Sequence, residues 1–244
     1  MEWTDRGLIL ANRAHGENHS VATIFTAQHG AASGFVHGGQ GKTKGPLLQA
    51  GNEVEATCRA RTDGALGHFA LELMTPRAAG AMADRQSLLA LTTVTDLLYT
   101  VLPEGQAYLP LYEATAALLD HLEAQPIWPI LLVKWELGLL EALGFGLTLD
   151  RCVATGRALE DGAALTFVSP KSGGAVSYEA GLPYKEKMLP LPPFLIDQGE
   201  PTHQDVRAGL KLTGHFLSER LLAPAGKELP EARERYIARA LRQG

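Results

Sequence analysis

The sequence predicts an α+β protein: a small N-terminal β-barrel followed by a mostly α-helical region. Three observations predict it. The first 80 residues hold five short strand-like runs divided by glycine turns. From residue 83 onward, apolar residues recur with a helical period. Between the later helices, residues 147–200 lose both periods and fill with Pro, Gly and Ser. The expected division is a barrel domain over 1–80 and a helical domain over 81–244, the latter carrying an irregular insert at 147–185.

The elements follow in order. "TDRGLILANRAHG" is a β-rich run ending at a glycine turn. "HSVATIFTAQHG" sets Val21, Thr23 and Phe25 on one face and Ala22 and Ile24 on the other. "AASGFVHGG" follows the short "QHG" turn, and "NEVEATCRARTDG" and "HFALELMT" are joined through "TDGALG". In the fourth run, Val54, Ala56, Cys58 and Ala60 alternate with Glu53, Glu55, Thr57, Arg59 and Arg61, the pattern of a half-buried strand with a charged outer face. On that pattern Glu53 and Glu55 are solvated. Helices are predicted over "ADRQSLLALTTVTDLLYTVLPEG", "LPLYEATAALLDHLEAQ" and "PIWPILLVKWELGLLEALGFG", the last opened by prolines and closed by Gly144 and Gly146. Two more are predicted over "HQDVRAGLKLTGHFLSERLL" and "PEARERYIARALR".

Composition narrows the function. The 244-residue chain carries a net charge of −5, which argues against a uniformly basic nucleic-acid binder and leaves room for a local patch. Residues 1–80 balance seven basic against seven acidic side chains and hold five of the eight histidines (15, 19, 29, 37 and 68). Residues 81–150 are acidic, while residues 201–244 hold eight basic and five acidic side chains. The longest apolar run is interrupted by Lys134, Glu136 and Glu141, so a core helix is expected rather than a membrane span. No secretory signal is seen at the N-terminus, and the two cysteines, Cys58 and Cys152, allow at most one disulfide. A cytoplasmic protein is expected.

The stretch "GGQGKTKG" at 38–45 raises the sharpest question. A phosphate-cradling loop of the form G-x-x-x-x-G-K-[ST] needs its first glycine at position 36, where this sequence has Val36. The following "KGPLLQAGNEVEA" leads to a strand, so no helix N-terminus faces a phosphate chain. Two roles remain: a solvated hairpin loop, or a flexible arm placing Lys42 and Lys44 on backbone phosphates beside Arg59 and Arg61. "HGENH" has two histidines four apart but no helix to bring them to one face, so it is read as a turn. Cys152, Thr155, Ser177 and Ala180 fall at the spacing of a four-cysteine zinc ribbon, C-x2-C…C-x2-C. Three of the four cannot serve as thiolate ligands, so a degenerate zinc-ribbon-like insert without metal is expected. On the helix from residue 203, Arg207, Lys211 and His215 recur at four-residue spacing opposite an apolar stripe, and the last helix adds Arg235, Arg239 and Arg242.

Together these pieces resemble the bacterial recombination mediator family RecO. "GLILANRAHGENHSVATIFTAQHG" is similar to the family's opening strands, and "HGGQGKTKGPLLQAGNEVEA" to its Gly-basic-Lys-Ser/Thr loop and the segment after it. "VKWELGLLEALGFGLTLDRC" resembles the helix that runs into the first zinc-site cysteine, and "KLTGHFLSERLL" the C-terminal helix. The likeness covers nearly the whole chain. It implies an OB-fold barrel, a helical domain and a small zinc-ribbon insert, in proteins not known as enzymes, and for this sequence no cofactor is expected. It implies binding to single- and double-stranded DNA, annealing of complementary strands and loading of RecA recombinase with RecR. It also implies binding to the acidic C-terminal tail of the single-strand DNA-binding protein. Carried onto this sequence, the DNA-binding candidates are Arg6, Arg13, Lys42, Lys44, Arg59 and Arg61, and the tail-binding candidates are Arg207, Lys211 and Arg220. Trp3, Phe25, Phe35 and Phe69 are the barrel's Phe, Tyr and Trp inventory, so weak base stacking and mainly electrostatic, salt-sensitive binding are expected.

Overall fold

The computed structural model describes residues 2–62, 66–124 and 127–242; the middle of the "TDGALG" loop and Gln125 and Pro126 of the helical runs lie outside them. Strands β1 (Glu2–His15), β2 (His19–Thr26), β3 (Gly30–Val36), β4 (Glu53–Arg59) and β5 (Gly67–Thr75) close into a barrel in the order β1-β2-β3-β5-β4. The pairs β1–β2, β1–β4, β2–β3 and β4–β5 are antiparallel, and β3–β5 is parallel. This is the five-stranded OB-type barrel the strand pattern predicts.

Period-two patterning decides what fills it. Ile9, Ala22, Ile24, Val36, Val54, Ala56, Cys58 and Phe69 form one buried cluster, joined by Leu48 from the loop between β3 and β4. Phe69 enters because residue 34 is glycine: a Cβ there would lie 2.5 Å from its ring. Phe25 is also fully buried but points the other way, edge-on to Tyr112 at 5.6 Å. Burial pushes the Cys58 thiol above its usual value.

The same compact unit, Met1–Gln125 with Pro230–Tyr236, contains α1 (Arg77–Ala81), α2 (Arg85–Val101) and α3 (Leu109–Asp120). Asp84 caps α2 by accepting from the Ser87 amide at 2.8 Å, and Pro110 sits in the first turn of α3, where its missing N–H costs nothing. One sequence expectation fails here. Glu55 is exposed, but Glu53 is 8% exposed. It accepts from Tyr112 Oη at 3.0 Å, Thr75 Oγ1 at 3.1 Å and an Arg77 guanidinium nitrogen at 3.2 Å. The alternation tells which side of the strand a residue takes. It does not tell that Tyr112 and Arg77 cover that side.

The second unit, Pro126–Leu229 with Ile237–Gly244, is built on α4 (Trp128–Ala142) and α6 (His203–Phe216). Leu132, Val133, Leu139 and Leu140 of α4 are fully buried, and so is Glu136, which accepts from Thr213 Oγ1 of α6. A capping box between Thr202 and Asp205 opens α6. Leu217–Leu222 widens to a π-helical turn and Ala223–Ala225 tightens to 3-10, where Pro224 removes a donor. The stretch expected to be irregular contains β6 (Leu165–Val168), β7 (Ala175–Ser177) and β8 (Leu189–Pro190) in the order β7-β6-β8, and a short α5 (Tyr178–Gly181). These strands are two to four residues long, too short for an alternation to show in sequence. The last helix, α7, is Glu231–Ala240. Among the described residues, no helix is long and apolar enough to cross a membrane, and both cysteines are free and buried.

Candidate nucleic-acid interface

The glycine-lysine loop is laced rather than loose. The amides of Gly39, Gly41 and Gly45 donate to the carbonyls of Val36, Gly38 and Gly41 at 3.3, 3.0 and 2.8 Å. The Gly38 amide donates to His19 Nδ1 at 3.2 Å, and Gln40 Nε2 to Ser20 Oγ at 2.7 Å. Leu48, 1% exposed, plugs the barrel behind it. The expectation of a flexible arm is therefore corrected to a fixed one. These amides are turned onto the loop itself, so they do not form a nest for a nucleotide phosphate. The loop leads through turns to β4, not to a helix. Lys42 projects into solvent, while Lys44 Nζ donates to the His37 carbonyl at 2.9 Å.

The register places the arginines. Arg13 pairs with Val21, Val21 with Phe35, Phe35 with His68, His68 with Arg59 and Arg59 with Glu2. These six residues form one outward band across all five strands. Arg59 ion-pairs with Glu2 at 2.9 Å, with both side chains over half exposed. Such a pair is worth at most about 1 kcal/mol and exchanges readily for a phosphate. Arg61 joins Arg59, Ala60, Leu66 and His68 around a shallow concavity. Arg13 lies over the Tyr99 ring at 5.4 Å. Arg6 does not join them. It pairs with Glu55, which pairs with Glu72, so its charge sits among carboxylates elsewhere on the barrel.

A second set of residues escaped the sequence reading. Four histidines gather round Phe35. His37 and His68 stack at 5.2 Å and 6°. Phe35 meets them edge-on at 4.7 and 5.5 Å, and His15 and His19 complete the cluster at 5.5 and 5.1 Å from Phe35. His15, His37 and His68 are exposed. The signal in sequence is the histidine excess of the first 80 residues, since an imidazole is also a flat ring. The cluster also links the two basic sets, since Lys44 bonds the His37 carbonyl and His68 neighbours Arg59. No group of three or more His, Cys, Asp or Glu among the described residues is arranged to hold a metal.

Comparison with known proteins decides the family. A model described as "Recombination protein O N terminal" matches residues 1–76, and one described as "Recombination protein O C terminal" matches residues 82–228. The chain belongs to the RecO family. The DNA repair protein RecO of a Methylorubrum extorquens strain is 44% identical over 245 residues, covering 98% of both chains. That of Rhodospirillum centenum is 44% identical over 239 residues, covering 98% of this chain and 94% of the relative. That of Roseobacter denitrificans is 41% identical over 238 residues, covering 97% of each. DNA repair is the role that comes with the family.

The RecO-family C-terminal region holds the remaining candidates. Arg207 and Lys211 are exposed, one turn apart on α6. Arg220 is held instead as a strut: it lies over the Phe216 ring at 4.7 Å and reaches the Lys171 carbonyl at 3.4 Å. The zinc-ribbon spacing survives as a knuckle. Cys152, fully buried, accepts from the Ser177 amide at 3.2 Å, and its sulfur lies 3.5 Å from Ser177 Oγ. Burial alone would raise this thiol. Hydrogen bonds from Ser177 and Thr155 and from the amides of Ser177 and Ala154 outweigh it and bring it down to about 6. Donors aimed at one sulfur, with Thr155, Ser177 and Ala180 at the other three positions, do not fit a zinc ion.

Proposed function

We propose that the barrel binds single- and double-stranded DNA, and that the chain acts by binding rather than by catalysis. In this role it anneals complementary strands in the cytoplasm and helps load RecA recombinase with RecR. One observation carries the reading: the fixed lysine loop, the His37–His68 stack and Arg59 with Arg61 form a continuous basic and aromatic surface on an OB-type barrel. Membership of a DNA repair family supports it. Of the six DNA candidates, Lys42, Lys44, Arg59 and Arg61 belong to that surface. Arg13 lies at the far end of the same band, and Arg6 stands apart. The acidic tail of the single-strand DNA-binding protein is proposed to meet Arg207 and Lys211, with Arg220 further along the chain.

Fluorescence anisotropy of a labelled single-stranded oligonucleotide over a salt series tests the DNA reading. Affinity should fall linearly with salt on logarithmic axes. Lys42→Ala with Lys44→Ala should weaken binding for all sequences alike and reduce the slope by up to about two. Unchanged affinity in the double variant removes the loop from the site. No binding by the intact protein at low salt would leave a scaffold that reaches DNA only through partners, a role the net charge of −5 favours.

A further inference from the structure

We propose that the exposed His37–His68 pair, wedged by Phe35, is a stacking subsite for the unpaired bases of single-stranded DNA. The proposal rests on the DNA-binding reading above and adds to it what part of the strand is held. On composition the barrel offers its strand-facing surface almost nothing to stack upon. Phe25 is turned inward and Phe69 fills the barrel. Trp3 is occupied by its own stack on His29, at 4.4 Å and 10°, with His29 Nδ1 fixed to Asp5 at 3.0 Å. The outer ring surface therefore comes from histidine.

Two imidazoles on a barrel surface would ordinarily turn freely. These two are ordered. Their planes differ by 6°, and Phe35 meets both at steep angles, 77° and 73°, so one wedge sets both orientations. The backbone behind them is fixed in turn. His68 lies in register between Phe35 and Arg59, and the His37 carbonyl accepts from Lys44. The stack presents two exposed imidazoles to solvent, so a flat ring of similar polarity can extend it. Nucleobases are such rings, and histidine is among the side chains on which unpaired bases stack. Paired bases in a duplex have both faces covered and cannot join without being unstacked. Lys44, held at the His37 carbonyl, and Arg59 and Arg61, beside His68, supply cations for the phosphates next to a stacked base. The nitrogens do not converge as metal ligands would, since the two rings lie face to face.

The test compares two oligomers of equal length and equal phosphate count: oligodeoxythymidylate, and the same backbone made abasic. Anisotropy titrations use the intact chain, its His37→Ala/His68→Ala variant and its Lys42→Ala variant. Both histidines are exposed, and the His37 carbonyl that holds Lys44 is kept. His19 is left alone because it accepts from the Gly38 amide. The intact chain should bind the base-bearing strand about five- to a hundred-fold more tightly than the abasic one. The histidine variant should lose that ratio and bind the two strands alike. The Lys42→Ala variant, which leaves Lys44 on the His37 carbonyl, should weaken both strands by one factor and keep the ratio. Equal affinity of the intact chain for the two strands overturns the stacking subsite and leaves phosphate binding standing. Binding of neither strand overturns both the subsite and the DNA-binding reading.

Discussion

Glu53 is a charged residue that a strand pattern assigns to water and the fold assigns to the interior. Its carboxylate is held by Tyr112, Thr75 and Arg77, and Arg77 continues to Asp120 at 2.7 Å. The side chains of Arg77 and Glu53 are only 6% and 11% exposed, so solvent screens their attraction little, whereas Asp120 is 53% exposed and adds less. Burial, then the neighbouring Glu53 charge, pushes the Tyr112 hydroxyl well above its usual range, which keeps it a proton donor. Arg77→Met should therefore leave a buried carboxylate without its cation and cost about 3–5 kcal/mol in denaturant unfolding. Tyr112→Phe, which removes one donor of three, should cost about 1–3 kcal/mol. If the two cost the same, the ion pair is not the dominant partner. Neither residue announces this role in sequence, because a pattern of period two reports a face and not what covers it. The histidines around Phe35 escaped for a related reason. They come from β1, β2, β5 and the residue after β3, and only the barrel's closure assembles them.

At the scale of elements, long patterns were legible and short ones were not. The barrel strands run from seven to 14 residues, enough for an alternation to repeat, and α2, α4 and α6 each show several turns of apolar repeat. The insert is different. Its strands are stubs, and what clamps them is a knuckle around Cys152 that composition alone reads as one buried small residue. The clamp makes a pH prediction. The folded thiol lies near 6 against an ordinary value of 9.0, so the folded state favours the thiolate. The stability this gives is complete above pH 9 and is lost as the pH falls through 6. Unfolding free energy should thus rise from pH 6 to 9 relative to a Cys152→Ser variant, whose residue 152 does not titrate in that range. Parallel curves for the two proteins would show that the hydrogen bonds to sulfur do not favour its ionised form in solution.

The whole molecule carries net negative charge and still exposes two small groups of basic side chains, the ones proposed above to bind DNA and the acidic tail. The lysine loop with Arg59 and Arg61 lies in one compact unit, and Arg207 and Lys211 lie in the other. The two sets share no hydrogen-bond partner among the described residues, and Arg207 and Lys211 both extend from one exposed helix face. Changes at two sites that do act independently add rather than couple. The acidic residues concentrated in 81–150 supply a background that repels polyanions, so binding at either proposed site would rest on near contacts within about a Debye length. Arg207→Glu with Lys211→Glu should then abolish binding of an acidic tail peptide, since reversing two charges replaces attraction by repulsion at one helix face. The same variant should bind a single-stranded oligonucleotide within about two-fold of the intact chain at about 0.15 M salt. Lys42→Ala with Lys44→Ala should do the reverse, weakening the oligonucleotide and sparing the peptide. Peptide and oligonucleotide titrations on the two variants give a two-by-two result. Only loss along the diagonal fits two separate sites. Loss of both ligands in either variant would mean that the tail and the strand compete for one surface, and that α6 is not where the tail is held.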